Sequence, residues 1–71
     1  MSSLDADLLA AHAKGDSALL AKLYAQAAET QEPASEQAAF YLTHAYVFAL
    51  EVGMDEAKTY HAQLKSWGRE E

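Results

Sequence analysis

The segment from Ala34 to Val52 reads ASEQAAFYLTHAYVFALEV, with Pro33 before it and Gly53 after it. At 100° per residue, Ala38, Tyr41, Leu42, Ala45, Phe48, Ala49 and Val52 fall on one uninterrupted apolar stripe, the pattern of a helix with a core face. Ala39, Tyr46 and Leu50 widen that stripe along one flank. Pro33 fits the first turn of such a helix, where its missing N–H costs nothing, and the rod would be roughly 28 Å long at about 1.5 Å per residue. The opposite side carries Glu36, Gln37, Thr43, His44 and Glu51, which should be solvated. Phe40 and Val47 sit among these polar groups, seven positions apart and so nearly in line.

Outward from this rod the chain is punctuated by glycine and acidic caps. Ser2 or Ser3 can cap a first helix over residues 4–14, with Asp5 and Asp7 in its first turn, where the helix dipole favours negative charge. Gly15 suits the left-handed residue that closes a helix, and Asp16 can cap the next, over 17–30. Leu20, Leu23, Tyr24 and Ala27 form the apolar side of this second helix, with Leu19 at its edge. The third helix spans 34–52. Gly53 closes it and Asp55 can cap a fourth over 56–67, where Ala57, Tyr60, His61, Leu64 and Trp67 recur at three- and four-residue steps until Gly68. Arg69-Glu70-Glu71 is left as a charged tail. Helices joined so tightly pack antiparallel.

Composition agrees. The 71 residues include sixteen Ala and nine Leu, no Ile, and only five Val or Thr, so helix is favoured over sheet. The apolar fraction of 51% and charged fraction of 23% belong to one small folded domain. A net charge of −6 repels phosphate backbones and anionic lipid, so neither nucleic acid nor a membrane is expected as a partner. The absence of cysteine excludes disulfides, thiolate metal sites and a Cys nucleophile. The longest uncharged run, Gln37 to Leu50, is too short to span a bilayer. The N-terminus lacks the basic start of a signal peptide, which makes the cytoplasm the expected compartment.

The fold class is therefore all-α: four helices as two antiparallel hairpins, either an open repeat-like array or a compact four-helix bundle. Several segments resemble the tetratricopeptide repeat. Gly15-Asp16 resembles the turn between its paired helices, and Tyr24 and Ala27 match the aromatic and small positions of its second helix. In a second unit, Ala45-Tyr46, Gly53 and Asp55-Glu56-Ala57 match its Ala-Tyr, turn Gly and Asp-Glu-Ala segments, and Pro33 falls about where a unit ends. The turn glycines are 38 residues apart, against about 34 in a regular repeat. Leu20 replaces the expected Ala, and the first helix has neither the Trp nor the Leu-Gly pair. The resemblance implies protein or peptide binding, on the groove formed by the first helix of each pair.

No catalytic constellation is present. His12, His44 and His61 have no Glu-x-x-His or His-x-x-x-His spacing, and Ser17 and Ser66 have no base near in sequence. The expectation is a protein that is not an enzyme and carries no cofactor or metal. The alternative from the enzyme class is a non-catalytic accessory subunit of an enzyme, or a minimal metal protein using His44 and Glu51. His12, at the end of its helix, suits the dipole, and His61 lies on a packing face. A partner-binding face is expected from Phe40, His44, Tyr46, Val47 and Leu50. Phe40 and Val47 would be the apolar anchors of a patch of a few hundred Å², taking up a protein or peptide, or a second copy of this chain. The alternative is that helix 1 or helix 4 folds over that face.

Overall fold

The computed structural model describes residues 4–68, which place Ser2, Ser3 and the Arg69-Glu70-Glu71 tail outside the described residues. Four helices run through it: α1 (Leu4–Lys14), α2 (Ser17–Glu29), α3 (Glu36–Glu51) and α4 (Glu56–Ser66). Two of the three junctions use one device. Gly15 (φ +67°) and Gly53 (φ +69°) are left-handed, and the next residue's N–H donates back to a carbonyl of the last turn. These are Asp16 to Ala11 at 3.0 Å and Met54 to Ala49 at 2.9 Å. Such closure satisfies carbonyls that a helix end leaves free and turns the chain within a few residues. At the first junction Asp16 also accepts the Leu19 N–H on its carboxylate at 3.1 Å, capping α2.

The other helix starts differ from expectation. Pro33 and Ala34 are not helical: Ala34 has φ +66°, and α3 begins only after Ser35, whose Oγ accepts the Ala38 N–H at 3.1 Å. A hydroxyl cap followed by Glu36 at the positive helix end is a better start than a proline two residues earlier. Asp55 makes no side-chain cap bond. The N–H groups there are taken by the backbone instead, Ala57 to Met54 at 3.1 Å and Lys58 to Asp55 at 3.0 Å. Thr30 and Trp67 are caps of α2 and α4, not their last turns. Val52, expected on the core stripe, is the C-cap of α3 and exposed, because the chain turns away at Gly53 before the stripe reaches it.

The helices lie side by side in chain order, α1 on α2, α2 on α3 and α3 on α4. The molecule measures 32 × 30 × 13 Å. A closed bundle would return α4 to α1, and the substantial helix packing among the described residues joins only neighbours in the chain. The arrangement is therefore the open array of the two that the sequence allowed.

The seams of this layer are made of small residues. The buried apolar side chains are nine alanines (11, 21, 27, 28, 38, 39, 45, 49, 57) and four leucines (20, 23, 42, 64). Ala28, Ala39, Leu42, Ala45 and Leu64 join α2, α3 and α4 at one end. Ala21, Ala49 and Ala57 join the same helices at the other, and Ala11 meets Leu20 and Leu23 between α1 and α2. Alanine lets backbones approach closely. Tyr24, Tyr41, Tyr46, Tyr60 and Trp67 lie half-buried against these seams.

Ala45, fully buried, is a direct test of this packing. Ala45→Leu is expected to lower unfolding free energy by about 1–3 kcal/mol, the cost of overpacking a closed seam, measured by urea denaturation followed by circular dichroism.

Candidate functional site

The side of α3 turned away from the seams is a ridge. Phe40, Val47 and Leu50 are 58%, 45% and 54% exposed, so among the described residues neither α1 nor α4 folds over them. Glu36, Thr43 and Glu51 share this arc and are also exposed. Val47 is one turn from Leu50 and two from Phe40, which makes one apolar line between two carboxylates.

His44 and Tyr46 are the shoulders of the ridge, and both are half-buried. The His44 Nδ1 lies 2.9 Å from the Phe40 carbonyl. A carbonyl only accepts, so Nδ1 carries the proton in this bond and Nε2 keeps a lone pair when the ring is neutral. The His44 ring packs 4.5 Å from the Phe40 ring and 5.1 Å from Tyr24. This fixes Phe40 against its own helix, with Tyr41 on its other side at 5.6 Å. On the opposite shoulder Tyr46 stacks on His61 of α4 at 5.2 Å. The five residues expected to bind a partner thus divide into three exposed apolar groups and two rings tied to neighbouring helices.

Tyr24 has a larger part than the sequence suggested. It stacks on Phe48 at 5.8 Å with rings 9° apart, and its hydroxyl lies 3.0 Å from His12 Nε2. His12 also meets Phe48 edge-on at 6.0 Å. A residue of α2 therefore links α1 to α3 through an aromatic cluster, with His12 as its hydrogen-bonding partner on α1. No spacing rule pairs residues 12, 24 and 48. Glu51 Oε1 accepts the Ser17 hydroxyl at 3.4 Å. Among the described residues no group of three or more His, Cys, Asp or Glu gathers as a metal ion would need.

A second feature, concave and not foreseen, is a groove of about 380 Å³ between α2 and α4. Ala28 and Leu42 line its apolar part, and Glu29, Tyr60, Gln63 and Trp67 are on its walls. Burial pushes the Tyr60 phenol above its ordinary value, and the carboxylates of Glu56 and Glu29 push it the same way. Tyr60 and Trp67 read from sequence as packing residues. They do pack, but each shows its other side to the groove.

No helix of the described residues is long and apolar enough to cross a membrane. Comparison with protein-family models, curated proteins and solved structures gives no match.

The raised Tyr60 value fixes a sign. Folding favours the neutral phenol, so its contribution is complete below the ordinary pKa near 10.0 and is lost as pH rises through the folded value. Tyr60→Phe is expected to flatten the alkaline loss of stability, measured as the change in urea midpoint between about pH 8 and 11.

Proposed function

We propose that this chain is a small, non-catalytic interaction module that seats a segment of another protein along the ridge of α3. The observation that carries this reading is the line Phe40–Val47–Leu50, three large apolar side chains left in water on one helix. Burying each would contribute about 1.5–3 kcal/mol. Phe40, held by His44, is a preformed anchor, which lowers the ordering cost of binding. Tyr46 and His44 would contact the partner at the shoulders. Glu36 and Glu51 on the ridge, with the net charge of −6, favour a partner that is apolar in its centre and basic or neutral at its rim.

The resemblance to tetratricopeptide hairpins supports the same reading, since α3 is the first helix of the second pair. So does the open order of the helices, which keeps one side of every element accessible. The lack of cysteine fits a reducing compartment such as the cytoplasm. A second copy of this chain is the competing occupant of the ridge.

The test is retention of proteins from a lysate of the source organism on the immobilised chain, with Phe40→Ala/Val47→Ala as control. The double variant is expected to lose at least about tenfold of the specifically retained partner, with melting shifted by only a few degrees because both positions are exposed. Equal retention, or a collapse of helicity, overturns the proposal. Sedimentation of the chain alone at micromolar concentration identifies self-association, and a dimer dissolved by the same double variant would assign the ridge to a second copy instead.

A further inference from the structure

The α2–α4 groove differs in chemistry from the ridge. Its apolar part ends between two aromatic residues of α4, Tyr60 and Trp67, and the carboxylate of Glu29 on α2. Glu29 lies in the last turn of α2, exposed, and no hydrogen-bond or ion-pair partner engages it among the described residues. A carboxylate there opposes the helix dipole, whose negative end is at the C-terminus. α4 ends on the same groove, with Trp67 as its C-cap. Two negative helix ends and a carboxylate therefore converge. The N-terminus of α3 arrives at this end as well, but Glu36 offsets it and the Ala38 N–H is already taken by Ser35.

No lysine or arginine among the described residues lines the groove. On α4 the groove side carries Glu56, Tyr60, Gln63 and Trp67 at helical spacing, while Lys58 and Lys65 fall on the opposite side. On α2 the nearest cation, Lys22, is about two turns from Glu29. Burial first, and then the nearby carboxylates of Glu56 and Glu29, raise the Tyr60 phenol above its ordinary value. A volume of about 380 Å³ accommodates one long side chain with adjoining backbone.

We infer that the α2–α4 groove binds an arginine side chain of a peptide, its guanidinium lying against the rings of Trp67 and Tyr60 and paired with the Glu29 carboxylate. Arginine fits better than lysine because its planar head stacks on aromatic faces, pairs with a carboxylate through two parallel hydrogen bonds and is the more weakly hydrated cation. The neighbouring residue of the peptide would rest on Ala28 and Leu42. This site is separate from the ridge and does not depend on what occupies it.

Trp67 is the one tryptophan of the chain, so its fluorescence reads the groove directly. The probes are acetyl-Leu-Arg-Leu-amide and the same peptide with citrulline, a neutral near-isostere, in place of arginine. The arginine peptide is expected to give a saturable change and the citrulline peptide to bind at least about tenfold more weakly. Glu29→Gln, exposed and at a position where the negative charge does not help the helix, retains its circular dichroism and erases that preference. Phe40→Ala leaves it intact. Equal affinity for the two peptides, no saturable change with the arginine peptide up to about 10 mM, or an undiminished preference in folded Glu29→Gln would overturn the inference.

Discussion

The close approach of neighbouring helices through alanine is the constraint on which the rest of the structure depends. Ala38, Ala45 and Ala49 of α3 are completely buried, as are Ala11 of α1 and Ala21 of α2. Leu20, Leu23, Leu42 and Leu64 are buried among these alanines, and Leu64 is the largest fully buried side chain among the described residues. Every ring of the molecule is at least partly wet. The ridge lies where α3 has no helix above it, and the groove lies where α2 and α4 flank Leu42 of α3 without closing.

Much of the fold was legible because the helix signals are local. Gly15, Asp16 and Gly53 act within one turn of chain, and the boundaries of α1, α2 and α4 agree with expectation to within about one residue. Where two local signals competed, the result could not be read in advance. Pro33 predicts a helix from Ala34, whereas in the structure the Ser35 hydroxyl caps α3 after it, leaving Ala34 with φ +66°. Val52 satisfies the periodicity of α3 but lies past the point where Gly53 redirects the chain. Periodicity describes a helix and carries no information about where the next element begins.

The two sites were unequally visible. Phe40 and Val47 stand out because they break the polar side of one helix, a contrast contained within fourteen residues of uncharged sequence. The α2–α4 groove is assembled from residues far apart in the chain, Glu29 with Tyr60 and Trp67, and becomes a feature only when the helices are known to form an open layer. The same is true of Tyr24. Its contacts with His12, His44 and Phe48 join three helices, and in sequence it is one more residue on an apolar stripe. Open array and closed bundle share one hydrophobic pattern, and it is the packing of the helices in chain order, without a substantial return of α4 to α1, that separates them.

Because the chain has no cysteine, the solvent exposure of α3 can be measured one position at a time. Single Phe40→Cys, Val47→Cys and Ala45→Cys variants, each at low micromolar concentration, would be labelled with a thiol reagent under native conditions and after unfolding. An α3 with one side uncovered predicts labelling at positions 40 and 47 within about tenfold of the unfolded rate, and slowing of at least about a hundredfold at position 45. Protection at position 40 comparable to that at 45 in a folded monomer would mean that α3 is enclosed, and would contradict the account.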